Sequence, residues 1–114
     1  AEFITTQMFF DNKKYFDYVK GCRGTGIEIP ILPGIKPITK RTQLSSLCRI
    51  FNIEIPVELT SEIEKAKTDE QVEQIGVEWC VNQCLELKKM GVPVLHFYTM
   101  GLSKVTRHIV SRVF

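Results

Sequence analysis

Apolar positions along this chain fall first into a strand-like run and then repeatedly into helical stripes. The run Phe3-Ile-Thr-Thr-Gln-Met-Phe-Phe10, closed by Asp11, has the length and the β-branched and aromatic content of a strand. Alternation of side chains puts Phe3, Thr5, Gln7 and Phe9 on one face and Ile4, Thr6, Met8 and Phe10 on the other. Past Asp11, a predicted N-cap, Tyr15, Phe16, Val19 and Cys22 recur at helical spacing, and Gly24 and Gly26 supply a stop. Ile27–Ile35 reads as a second strand, with Pro30 opening its paired stretch and Pro33-Gly34 ending it. A loop from Lys36 to Thr39 leads to a helix carrying Leu44, Leu47, Cys48 and Phe51 on its apolar stripe.

Pro56 restarts the chain, and Leu59 with Ile63 predicts a short amphipathic helix to about Lys67. Thr68 and Gln71 form a capping signature for the longest helix, which runs to about Met90 and stops at Gly91. Its stripe is Val72, Ile75, Gly76, Trp79, Cys80, Cys84 and Leu87, broadened by Val77, Val81 and Leu85. Val94–Met100 reads as a third strand, and Val105, Ile109 and Val113 mark a final helix. The order β-α-β-α-α-α-β-α implies parallel strands joined by crossovers, with helices flanking the sheet. Three strands cannot close a barrel, so the pattern is either a small open sheet or the last three βα units of a (β/α)₈ barrel of about 250 residues. The strand pattern starts at once after Ala1-Glu2, which reads as the tail of a longer chain.

Composition alters this picture little. At 114 residues, with 44% hydrophobic and 25% charged side chains, the chain has the size and balance of one globular domain. A net charge of +2 is too small to argue for nucleic acid or an anionic membrane surface, and neither is expected as a partner. No apolar run approaches the roughly 20 residues of a membrane span. The four cysteines all fall in apolar helical patterns, which fits buried, reduced thiols in a cytosolic or organellar protein, and a cytoplasmic location is expected.

Candidate chemistry is sparse. Gln7 is the amide near the C-terminal end of the first strand, where parallel α/β folds handle ligands. His96 and Tyr98 share a face of the third strand, and Gln43 lies in or near the first turn of the helix after the second. Each has a bland alternative: a satisfied core amide for Gln7, a core histidine for His96, a backbone-bonded hydroxyl for Tyr98, a solvated side chain for Gln43. Cys80 and Cys84, four apart on a helix with no histidine pair, lack the spacing of a zinc site and are expected in the core. No phosphate loop and no nucleophile–histidine constellation occurs. From the residues alone, the reading ends at a parallel α/β unit with a possible ligand face built from Gln7, Gln43 and Tyr98.

Three stretches carry a resemblance. Thr6-Gln-Met-Phe-Phe-Asp11, Pro30-Ile-Leu-Pro-Gly-Ile-Lys-Pro-Ile38 and His96-Phe-Tyr-Thr-Met100 resemble, in order and spacing, the methylenetetrahydrofolate reductase family. Gly76-Val77-Glu78 is similar to that family as well, and the likeness covers essentially the whole chain. The resemblance implies one domain over 1–114, the C-terminal three βα units of a (β/α)₈ TIM barrel. It implies a flavoprotein reducing 5,10-methylenetetrahydrofolate to 5-methyltetrahydrofolate in one-carbon metabolism, with NADH or NADPH as donor. FAD would be held mainly by the first five units, and the whole protein is expected to be a homo-oligomer. Gln7, Gln43, Leu47 and Tyr98 match substrate-contacting positions, Leu47 as an apolar wall against substrate or nicotinamide; no catalytic residue is assigned within the chain.

One departure stands out. Many members follow the Tyr-Thr motif with Asn-Arg, where this chain has Gly101 and Leu102; Lys104 is the nearest replacement charge. The resemblance also puts most flavin contacts, and the acidic residue that assists catalysis, in the first five units, so the 114 residues alone are expected to be inactive, as part of an enzyme. The competing function is a non-catalytic α/β half-barrel serving as an interaction or structural domain.

Overall fold

The computed structural model describes residues 3–51, 53–92, 94–98 and 103–113. The elements are β1 (Ile4–Met8), α1 (Asn12–Gly24), β2 (Ile31–Ile35), α2 (Gln43–Phe51), α3 (Val57–Lys65), α4 (Asp69–Lys89), β3 (His96–Phe97) and α5 (Ser103–Val113). The three strands form one parallel sheet in the order β1-β2-β3, as the alternating pattern requires.

Local signals set the helix ends. The Asp11 carboxylate accepts from the Lys13 N–H at 3.0 Å. Thr68 does the same for Gln71, while the Gln71 side chain reaches back to the Lys67 N–H at 2.7 Å. Beyond α1 and α4, Gly26 and Gly91 take φ of +90° and +87°, a region where other L-residues are strained.

Pro33 lies inside β2, where the sequence pattern ends the strand. Neighbouring residues in a strand aim their N–H groups to opposite sides; Gly34 donates toward β1, so Pro33 faces β3 with no N–H to give. The β2–β3 ladder accordingly starts one residue later, at Gly34↔His96 and Ile35↔Phe97. This accounts for β3 (His96–Phe97) opening at His96 and not at the predicted Val94. Of the rest of the predicted run, Tyr98 still donates its N–H to the Ile35 carbonyl at 2.8 Å, and Thr99 and Met100 lie outside the described residues.

Two clusters make the core. Phe9, Tyr15, Ile31, Ile35, Val77, Cys80, Val81, Cys84, Leu87 and Ile109 pack the sheet against α1, α4 and α5. Met8, Phe10, Ile38, Leu47, Leu59, Ile63 and Val72 gather past the C-terminal ends of β1 and β2, beneath α2 and α3. The long α4 joins both, at roughly 1.5–3 kcal/mol for each aliphatic side chain fully buried. Leu85, expected to broaden its stripe, is exposed, and the buried position is instead Gln83. Of the cysteines, Cys80 and Cys84 are buried as expected, whereas Cys48 is exposed and Cys22 half-exposed; all four are free thiols.

Candidate functional site

Parallel strands end on one rim, and the candidate residues collect there. Strict alternation fails on β1: Ile4 and Thr5 pair with Ile31 and Leu32, but Met8 pairs with Gly34, so one extra residue is accommodated between them. The bulge exchanges the faces. Ile4 and Phe9 pack in the sheet–helix cluster, while Met8 and Phe10 belong to the cluster at the strand ends. It also turns Gln7 outward. Gln7 is exposed, its side chain bonded among the described residues through Oε1 to the Met8 N–H at 3.1 Å, and it lines a cavity of about 530 Å³ with Thr5, Thr6, Phe10, Tyr18 and Glu54. It is therefore not a core amide.

Tyr98, half-buried, follows β3 and lies across Gly34. Its hydroxyl donates to the Thr6 carbonyl at 2.9 Å, on the far side of β2. A Cβ built on Gly34 would stand 2.5 Å from Tyr98 Cε2 and 2.6 Å from the Thr6 oxygen, so only glycine permits the crossing. His96 is exposed and meets the Tyr98 ring edge-on at 4.8 Å, which removes it from the core where the sequence reading put it.

Gln43 opens α2 and organises the loop before it. Its Oε1 accepts from the Thr39 and Lys40 N–H groups at 2.7 and 3.2 Å. Leu47, one turn on and 3% exposed, packs in the strand-end cluster to which Tyr98 and Met8 also belong. The structure thus brings Leu47 and Tyr98 into one apolar cluster beside Gln7's neighbour Met8. Gln43 is committed to its own loop through that oxygen. Lys104 lines a separate groove between α4 and α5 with Glu70, Glu73 and Glu78, and Gly101 and Leu102 lie outside the described residues.

Lys36, at the end of β2, was legible in sequence only as a loop residue. It is 1% exposed, its Nζ donates to the Pro37 carbonyl at 3.1 Å, and among the described residues no carboxylate forms an ion pair with it. Burial lowers its pKa, an effect opposed by the neighbouring Cys80. The bracketing Ile35 and Pro37-Ile38 were the available signal, since they form an apolar run with one charge inside it. The Cys80 thiol is itself pushed far up, first by its hydrogen bond with Cys84 and then by burial, which makes it inert core.

Among the described residues no group of histidine, cysteine and carboxylate side chains could hold a metal ion, and no helix is long and apolar enough to cross a membrane. Among the described residues the glycines with positive φ, Gly26 and Gly91, follow the C-terminal ends of α1 and α4, where carbonyls and the negative end of the helix dipole disfavour an anion. These residues do not fit the diphosphate of a dinucleotide cofactor.

These features define a parallel α/β unit with a polar and aromatic face at the C-terminal ends of its strands. Comparison with known proteins gives the rest. The sequence profile of the methylenetetrahydrofolate reductase family matches residues 1–113, and the chain belongs to that family. It is 37% identical over 114 residues to methylenetetrahydrofolate reductase 1 of Schizosaccharomyces pombe, covering 99% of this chain and 19% of that protein. It is 35% identical over 115 residues to methylenetetrahydrofolate reductase 2 of Saccharomyces cerevisiae, again 99% and 19%. A probable methylenetetrahydrofolate reductase (NADPH) of Caenorhabditis elegans is 34% identical over 113 residues, covering 97% of this chain and 17% of the relative. The chain therefore spans about a fifth of the length of these relatives.

Proposed function

We propose that the protein to which this chain belongs is a flavin-dependent reductase that converts 5,10-methylenetetrahydrofolate to 5-methyltetrahydrofolate with NADH or NADPH. In this reading the chain supplies the last three βα units of a TIM barrel, FAD is held by residues outside it, and the whole protein is a cytoplasmic homo-oligomer. The observation that carries the reading is the family match over residues 1–113, which takes in all three strand ends. The parallel order β1-β2-β3, in chain sequence, is the order such a barrel has.

The residues then divide by what they can do. Gln7, turned out by the bulge, offers an amide that both donates and accepts, suited to the mixed edge of a pterin. Leu47 supplies an apolar wall and Tyr98 an aromatic ring with a polar tip. Gln43 reaches substrate through its NH₂ while its oxygen holds the 39–40 loop. The chain's part is to bind and orient the folate; the electron chemistry belongs to the cofactor.

Gln7→Ala in the complete protein tests this. Its exposure and single local bond predict an unchanged melting temperature and unchanged reduction of the flavin by nicotinamide. The folate half-reaction, followed anaerobically by flavin absorbance, should slow by roughly 5- to 150-fold, the worth of one substrate hydrogen bond. Equal slowing of both half-reactions with a lower melting temperature would make Gln7 structural.

A further inference from the structure

We infer that Thr6 is a positioning residue for the folate, acting through Tyr98. The inference rests on the reading of Tyr98 as a substrate contact and goes beyond it to the residue that sets the tyrosine in place.

In a regular parallel ladder the Gly34 N–H, which points toward β1, would be received by a main-chain carbonyl of that strand. Here the Thr6 side chain receives it as well, with Oγ1 at 2.9 Å. The Thr6 carbonyl accepts the Tyr98 hydroxyl at 2.9 Å. One residue thus uses its hydroxyl to hold β2 and its carbonyl to hold the segment after β3. The bulge lies at this point of β1, between Thr5 and Met8, and Gln7 is the next residue. Gly34 completes the arrangement, because it leaves room for the tyrosine ring to pass over β2. The Tyr98 oxygen still has lone pairs to accept a bond while it donates to Thr6. Fixing its proton on Thr6 presents the hydroxyl to the rim as an acceptor in a set direction.

Without the Thr6 hydroxyl, the side-chain hold of β1 on β2 at Gly34 is lost, and with it the placement of the Thr6 carbonyl that anchors Tyr98. Serine keeps both oxygens; valine keeps the shape and removes one. Thr6→Val in the complete protein should lower kcat/KM for the folate half-reaction by roughly 5- to 30-fold, the range of one lost hydrogen bond. Thr6→Ser should restore it to within about 2-fold, and reduction of the flavin by nicotinamide should be unchanged in both. Tyr98→Phe should cost about as much as Thr6→Val, and the double variant no more than either alone, since both break one linkage. Multiplying effects, or a Thr6→Ser variant as impaired as Thr6→Val, would overturn the inference. A crystal structure of Thr6→Val gives a readout independent of turnover: the Tyr98 hydroxyl should have left the Thr6 carbonyl. If it stays there, the inference fails whatever the kinetics. If it leaves while Tyr98→Phe is silent toward folate, the assignment of Tyr98 to the substrate is what fails.

Discussion

Gly76 of α4 packs directly on the backbone of Ile38: a Cβ built on the glycine would overlap the Ile38 carbonyl oxygen and crowd its carbon and nitrogen. The long helix meets the loop after β2 at this one point without any side chain between them. The same sequence holds a contrasting glycine. Gly21, within α1, is exposed, and a methyl group placed on it would meet nothing within 4 Å.

The two glycines make opposite predictions. Gly76→Ala forces α4 away from the strand-end cluster and should destabilise by at least the 1–3 kcal/mol typical of overpacking. Gly21→Ala should stabilise by about 0.5–1 kcal/mol through helix propensity alone. Thermal or urea unfolding of both variants checks the pair, and equal effects would mean that α4 does not pack as described.

Lys36 predicts a pH dependence. Its folded-state pKa is lowered from 10.5 by burial, so the folded chain binds fewer protons than the unfolded chain between the two values. Stability should therefore rise as pH increases through that alkaline window, with the full cost of the buried charge felt below it. Lys36→Met should remove the rise and stabilise the fold by on the order of 1–3 kcal/mol at neutral pH. Urea midpoints for both proteins from pH 7 to 10.5 would reveal it; a destabilised methionine variant would contradict the prediction.

Trp79 ties α4 to the end of β1 through a bond from its indole N–H to the Phe10 carbonyl at 2.7 Å. Trp79→Phe keeps most of the ring and leaves that carbonyl without its partner. The expected loss is about 1–2 kcal/mol in denaturant unfolding. No loss would show that water replaces the indole at this position.

Among the described residues both outer strands pair on one side only, β1 with β2 and β3 with β2. Open edges of this kind recruit other chains. Expressed as an isolated 114-residue polypeptide, the chain should self-associate with rising concentration in size-exclusion chromatography with light scattering. A monomer whose β1 amides resist hydrogen exchange would contradict this.

Much of the architecture was legible in the sequence because it is written in local chemistry. Asp11 and Thr68 cap their helices as short acceptors at helix starts do, and Gly91 ends α4 as a residue free to take positive φ does. The alternation of strand and helix periods predicted a parallel order. The motifs around Gln7, Pro33 and Tyr98 identified the family, since their spacing reflects which loops meet at one rim.

Relations between residues far apart in the chain were set by packing and left no local trace. A two-residue alternation carries no mark of an inserted residue, so the bulge that sends Gln7 outward and Met8 inward emerged only when β1 met β2. The bond from Tyr98 to Thr6 spans 92 positions and exists because Gly34 has no side chain to obstruct it. The burial of Lys36 and the exposure of Cys48 follow the same rule, since the packing of the surrounding elements, and not a residue's own polarity, sets the surface it retains.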